Sequence, residues 1–226
     1  ATRDDIDGFI SIEPGTPERI TYLATGSKRY SVTYKGPGGH SFGSFGTANP
    51  VHALGRAIAG ISVLETPAEP KTTYNVGVIS GGTSVNTISE SAKMIIDLRS
   101  NSEEELAILD VKVLSILRQA AADENSFREK SGEVTVDIEL VGNRPAGSQS
   151  PEADIVQTSM AAATELGFEP TLESASSTDS NVPINLGIPA VTLGGGGDAG
   201  GFHTLDEYFD PTDAHFGAQK ILLTVL

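Results

Sequence analysis

Between Ser27 and about Val141 the apolar residues switch between a period of two and one of about 3.6 in a set order, and that order limits the possible folds more than any other feature of the chain. Tyr30, Val32 and Tyr34 alternate with Ser31, Thr33 and Lys35, the pattern of a half-buried strand. A glycine-rich turn, Gly36 to Gly46, follows. Asn49 then stands as an N-cap with Pro50 at the first helical position, and Val51, Leu54, Ile58 and Ile61 recur at helical spacing. Tyr74 to Ile79 and Ala92 to Arg99 read as two strands joined by a polar connection, Ser80 to Ser91. Ser102 and Glu105 make a capping box ahead of the helical stripe Leu106, Leu109, Val113, Leu117 and Ala120, and Val134 to Leu140 alternates again. Strand, helix, strand, strand, helix, strand is the ferredoxin-like order, so residues 27–141 are expected to form one α+β domain.

The flanks follow a different grammar. Gly8 to Glu13 reads as a short strand with a carboxylate at its C-terminal tip, where ligands of open α/β sheets gather. After Gly142, Ser150 and Pro151 open a helix carrying Ile155, Ser159, Met160, Ala163 and Leu166 on one face, which Gly167 can close. Ile188 to Leu193 is an almost wholly apolar strand of the kind covered on both faces in a mostly parallel sheet, and a last helix is expected from about Asp213. Residues 1–26 and 142–226 therefore read as α/β segments, the latter as the end of a larger domain.

Thirty acidic against fifteen basic residues give a formal charge of −15, which repels phosphate backbones and anionic lipid surfaces, so neither nucleic acid nor membrane is an expected partner. With no cysteine the chain has no disulfide, no thiolate metal site and no cysteine nucleophile, and any metal must be held by His, Asp and Glu. The polar start, Ala1 to Asp7, does not look like a signal sequence and favours a cytoplasmic location, although Ala1 is not expected to be the natural N-terminus.

The densest local signal runs from Gly194 through Gly197 to His203, Thr204 and Glu207, a glycine-rich segment after a strand that delivers one histidine beside acids. Taken with Glu13-Pro14, Gly39-His40-Ser41, Gly81-Gly82-x-x-x-Asn86-x-Ile88, Asp97-x-Arg99 and Asp179, in this order, it resembles the co-catalytic zinc metallopeptidase family that includes peptidase T, aminoacylase, carboxypeptidase G and succinyl-diaminopimelate desuccinylase. The resemblance spans nearly the whole chain. It implies an α/β catalytic domain interrupted by a ferredoxin-like lid that pairs two subunits into a homodimer. It also implies a two-zinc site, open to cobalt or manganese, and a peptide or N-acyl amino acid as substrate.

Carried over residue by residue, the resemblance makes Glu13 and His203 metal ligands, a carboxylate and an imidazole of the kind zinc takes. It makes His40 the group that enters the neighbouring subunit's site to stabilise the oxyanion, and Asn86 and Arg99 the groups that hold the substrate, while the backbone at Gly195 and Gly196 lines the pocket. Asn86 capping a turn, and Arg99 pairing with Asp97, are the plainer alternatives. Asp179 and Glu207 are expected to support rather than ligate, and His52 and His215 to be ordinary helix residues. The family's earlier His-x-Asp, bridging Asp and Glu-Glu pair have no counterpart before Glu13, so the 226-residue chain alone is expected to be inactive.

Two motifs point elsewhere. Gly39-His40-Ser41-Phe42-Gly43 fits the nucleophile elbow of serine hydrolases, with Ser41 as nucleophile, but the elbow needs a helix directly after the serine and none is signalled before Pro50. Gly195-x-Gly197-x-x-Gly200 fits a dinucleotide fingerprint that lacks a following helix. A non-catalytic dimerisation module is a third possibility.

Overall fold

A computed structural model describes residues 5–128, 132–202 and 204–226. In chain order its elements begin β1 (Phe9–Glu13), β2 (Arg19–Thr21), β3 (Gly26–Lys35), β4 (Gly39–His40), α1 (Pro50–Ser62), β5 (Thr72–Gly81), β6 (Thr87–Ile88) and β7 (Ser91–Ser100). They continue α2 (Glu103–Ser126), β8 (Thr135–Arg144), α3 (Asp154–Glu165), β9 (Thr171–Glu173), α4 (Asn181–Asn185), β10 (Ala190–Gly194), β11 (Asp198–Gly200), β12 (Tyr208–Asp210) and α5 (His215–Val225). Two units result, Ser27–Asn143 and a second made of Ala1–Gly26 with Arg144–Leu226.

In the Ser27–Asn143 unit the four long strands lie in the order β5-β7-β3-β8, the ferredoxin-like arrangement expected from the element order. Alternation does what the sequence implied. Tyr30, Val32 and Tyr34 of β3 and Ala92, Met94, Ile96 and Leu98 of β7 are buried under α1 and α2, where they meet Leu54, Ile61, Leu106, Leu109, Val113 and Leu117. The polar ends of the buried tyrosines are satisfied: Tyr34 donates to the Leu117 carbonyl at 2.8 Å and Tyr30 to Asp110 at 2.6 Å. Asn49 caps α1, accepting from the Val51 N–H at 2.9 Å, and Ser102 caps α2, accepting from Glu105 at 3.3 Å. One expected position fails, because Val51 is 39% exposed and the buried stripe of α1 runs through Pro50, Ala53, Leu54, Ala57 and Ile61.

In the other unit β1 and β10 are parallel, β10 and β2 antiparallel, and β2 and β9 parallel, so the sheet is mixed rather than mostly parallel. Every residue of β10 is buried. The helix expected from Ser150 starts instead at Asp154, since Ser150 first closes a turn, its carbonyl accepting from Ala153 and its hydroxyl from Glu152. Gly167, at φ +86°, ends α3 as expected, with Phe168 N–H on the Ala163 carbonyl and Gly167 N–H on Thr164.

Candidate functional site

His40 and Asn86, far apart in sequence, are brought together by a ribbon that the sequence did not signal. β4 pairs antiparallel with β6, with His40 opposite Thr87, and Ser41 N–H donates to the Asn86 carbonyl at 2.9 Å. Gly38, at φ +70°, lets the chain turn out of β3 into this ribbon without the strain a side chain would add. The His40 ring is exposed, and its Nδ1 accepts from the backbone N–H of Phe42 at 3.3 Å and of Gly43 at 3.2 Å. A nitrogen that accepts carries no proton, so the neutral imidazole carries it on Nε2, where no described group accepts it. Asn86 Oδ1 takes the Ser84 hydroxyl, a turn contact that leaves its Nδ2 without a described acceptor. Phe42 and Phe45, 89% and 74% exposed, project from the same loop and were marked by no motif. Ser41 is followed by turns up to Thr47 and no helix before Pro50, so it is not on a nucleophile elbow.

Arg99 is not on this ribbon but on β7 of the four-stranded sheet. It lies eight residues beyond Ser91 along β7, roughly 26 Å at about 3.3 Å per residue, whereas Gly36 N–H on the Glu90 carbonyl puts the turn toward His40 at the Ser91 end. Its Nε donates to Asp97 Oδ2 at 2.6 Å, and Arg29 Nε donates to Asp97 Oδ1 at 2.9 Å. Burial works to raise the Asp97 carboxyl, but the hydrogen bonds from Arg99 and then Arg29 outweigh it and hold the group below the usual carboxylate range. Arg29 was not singled out from the sequence, because only the strand register shows that it faces Asp97.

In the other unit the tip of β1 lies beside the glycine run. Glu13 pairs with Gly194, Gly195 N–H donates to the Glu13 carbonyl at 2.9 Å, and Gly196 N–H donates to the Gly15 carbonyl at 2.9 Å. The two N–H groups are therefore committed within the fold. Gly196 adopts φ +84°, and Gly217 of α5 packs directly on the Gly195 carbonyl, an approach that requires glycine at both positions. No described group donates to the Glu13 carboxylate. A cavity of about 320 Å³ is lined by Pro14, Ala199, Phe202, Glu207, Tyr208 and Phe209, so the Glu-Pro step and the late acidic segment share one wall. His203 lies outside the described residues. Asp179 is largely exposed, 3.7 Å from Arg144; His52 sits exposed on α1, and His215 starts α5 with its ring 4.2 Å from that of Phe216. Among the described residues no group of three metal-ligating side chains converges, so Glu13 offers a suitable oxygen donor but the described residues do not by themselves build a zinc site.

Residues 23–125, which carry both His40 and Asn86, match the family described as peptidase dimerisation domain. These residues form a peptidase dimerisation domain. The resemblance read from the motifs is thus borne out for this part of the chain. The aminopeptidase PepT of Bacillus cereus superimposes with a TM-score of 0.79 at 20% identity, covering 100% of this chain and 58% of that one. A tripeptidase of Staphylococcus aureus gives 0.77 at 19% identity, covering 97% and 56% of the two chains. An aminobenzoyl-glutamate utilization protein of Klebsiella pneumoniae gives 0.74 at 16%, covering 98% and 55%. At such identities the likeness is one of fold. The uncharacterized protein YqjE of Bacillus subtilis is 28% identical over 140 residues, 62% of this chain and 35% of that protein. The chain thus spans about a third of this curated relative and a little over half of the solved structures, with the dimerisation domain inside the shared region. No helix among the described residues is long and apolar enough to cross a membrane.

Proposed function

We propose that this chain is part of a homodimeric, metal-dependent exopeptidase or N-acyl amino acid amidohydrolase, in which His40 of one subunit acts on substrate bound by the other. The observation that carries this is the state of His40: exposed on the β4–β6 ribbon of a dimerisation domain, with Nδ1 occupied by two backbone N–H groups and Nε2–H left as a fixed donor. Such a donor suits an oxyanion better than a proton acceptor would. Asn86, beside it, offers Nδ2 to the same ligand, and Arg99 offers its Nη edge to a substrate carboxylate. Glu13, at the β1 tip, contributes one metal ligand and His203 another, while Pro14 and Glu207 line one cavity. Zinc, when bound by these and further ligands, supplies an activated water.

The test is a mixed dimer made from a full-length protein that contains this chain. His40→Ala alone is expected to lower kcat about a hundred- to a thousandfold without emptying the metal site, whereas His203→Ala is expected to lose metal. In a verified heterodimer of the two variants, one site keeps its own ligands and its neighbour's His40, and activity should return to about half of wild type. A heterodimer as inactive as its parents refutes the assignment.

A further inference from the structure

Two aromatic rings stand at the tip of the ribbon that carries His40. Phe42 and Phe45 are 89% and 74% exposed, and Val85, fully exposed, precedes Asn86, whose carbonyl takes the Ser41 N–H. The loop is folded on itself: Ser44 N–H donates to the His40 carbonyl at 2.8 Å, Phe45 to Phe42 at 3.3 Å and Thr47 to Ser44 at 3.1 Å. A turn closed in this way brings the Cα atoms of Phe42 and Phe45 to within about 7 Å of each other. Phe42 is also tied to the imidazole, since its N–H is one of the two that His40 Nδ1 accepts, at 3.3 Å.

Folding gives no reason for these rings. A large apolar side chain stabilises a fold only when it is buried. Single exposed ones are ordinary, but three on the facing strands of one short ribbon mark a surface that takes an apolar ligand. The charge pattern says the same. Asp, Glu, Lys and Arg make up 20% of the chain, yet residues 36–55 and 72–89 contain none of them. Glu90, the acid that follows, lies back against Gly38, where the ribbon begins. The tip is an uncharged patch on a chain of net charge −15, unsuited to an ionic group and suited to an aliphatic or aromatic one.

We propose that Phe42 and Phe45 form an apolar subsite for the substrate side chain on the acyl side of the scissile amide, so that amides of large apolar residues are the preferred substrates. Naming that ligand a substrate rests on the hydrolase reading above; the apolar subsite itself does not. The acyl side follows from the chemistry. An oxyanion held by His40 Nε2–H sits on the acyl carbon, and the acyl side chain is one bond closer to that carbon than the side chain of the leaving amine. A substrate fits this tip better than a protein surface does, because Phe42 cannot shift to follow such a surface without taking its N–H from His40 Nδ1.

The full-length protein is assayed with leucyl-glycyl-glycine and with triglycine, which lacks the side chain; leucine and glycine binding are measured by calorimetry, and sedimentation follows the dimer. Phe42→Ala keeps the backbone N–H that His40 accepts. It is expected to lower kcat/KM for the leucyl peptide about ten- to a hundredfold, the effect of losing one apolar contact, with a loss on triglycine about tenfold smaller. Phe45→Ala should act in the same direction, and Phe42→Leu should recover part of the loss. The preference of the wild type for leucine over glycine should fall in parallel in Phe42→Ala. No wild-type preference for the leucyl peptide, equal losses on the two peptides, or dissociation of the dimer by Phe42→Ala would overturn the subsite. If the wild type cleaves neither peptide, the hydrolase reading for these substrates fails and the amino acids alone decide: a preference for leucine that Phe42→Ala abolishes upholds the subsite, and a preference absent or retained overturns it.

Discussion

Replacing Glu124 by Gln is expected to destabilise the chain by about 3 kcal/mol, although the substitution conserves volume and touches no apolar contact. Glu124 is fully buried near the end of α2. Its Oε1 accepts from Arg128 Nε at 2.7 Å and from the N–H of Asn49, the N-cap of α1, at 3.0 Å; its Oε2 accepts from Arg56 Nε at 3.3 Å. The neutral amide leaves two guanidiniums without their counter-charge and turns an NH₂ group toward a donor. Breaking a buried pair from one side costs about 3–5 kcal/mol, and the lower end applies because the Arg128 and Arg56 side chains, 19% and 37% exposed, can recover some water. With a urea m-value of about 2 kcal/mol/M, the midpoint should fall by about 1.5 M. The pH dependence supplies a second check. Burial pushes the Glu124 carboxyl up, but Arg128, the Asn49 N–H and Arg56 together hold it below its ordinary value. A carboxyl lowered by folding contributes stability that is present above its unfolded pKa and lost as the pH falls through the folded one, so the gap between wild type and variant should close below about pH 4. A midpoint shift under about 0.3 M, or a gap that persists in acid, would refute the reasoning.

Gly217→Ala should cost about 3 kcal/mol by the same urea titration, since the added Cβ would fall on the Gly195 carbonyl, backbone that cannot move aside; at an ordinary helix position the same change would stabilise by about 1 kcal/mol. Lys220, fully buried, donates to the carbonyls of Pro17 at 2.5 Å and Arg19 at 3.0 Å, and burial pushes its ammonium down to about 8. Between about pH 8 and pH 10 the unfolded chain then binds more protons at this residue than the folded one, so stability from this group rises with pH; denaturation across that range should show a rise in wild type relative to Lys220→Met, and parallel curves would count against it.

The long elements were legible because each carries enough residues to show its period: five apolar positions of α2, from Leu106 to Ala120, were named from spacing and all are buried. The ribbon that holds His40 was not, because β4 and β6 are two residues each and have no period to read; their pairing depends on the turn at Gly38 and on the partner strand. β2 and β9, three residues each, escaped for the same reason. Asp110 and Glu124 lie on the buried side of α2, where a carboxylate in sequence looks like the end of an apolar stripe; in the structure each is buried against cations, Asp110 at 2.6 Å from Lys28. His40 and Asn86 could be singled out by motif, but their adjacency and the protonated nitrogen of His40 could not, since both follow from backbone hydrogen bonds.

Arg99 lies roughly 26 Å along β7 from the Ser91 end, where the chain turns toward the ribbon that carries His40, and this limits how a dimer can use the two residues. An extended tripeptide spans at most about 11 Å, well short of that length, which argues against one domain presenting both residues to one bound substrate. If His40 acts on the neighbour's substrate, Arg99 of the same chain must hold a different molecule, the one in its own subunit. Each pocket would then combine Arg99 from its own chain with His40 and Asn86 from the other. A heterodimer of His40→Ala and Arg99→Met subunits distinguishes the cases. Under this division one pocket has an intact Arg99 and an intact neighbouring His40, while the other lacks both, so activity on a carboxylate-bearing peptide should reach about half of wild type. If both residues served the same pocket, every pocket would lack one of them. Recovery no greater than in the two parents would therefore show that the sheet bends or closes enough to bring its two ends together, and would overturn the assignment of Arg99 to its own subunit.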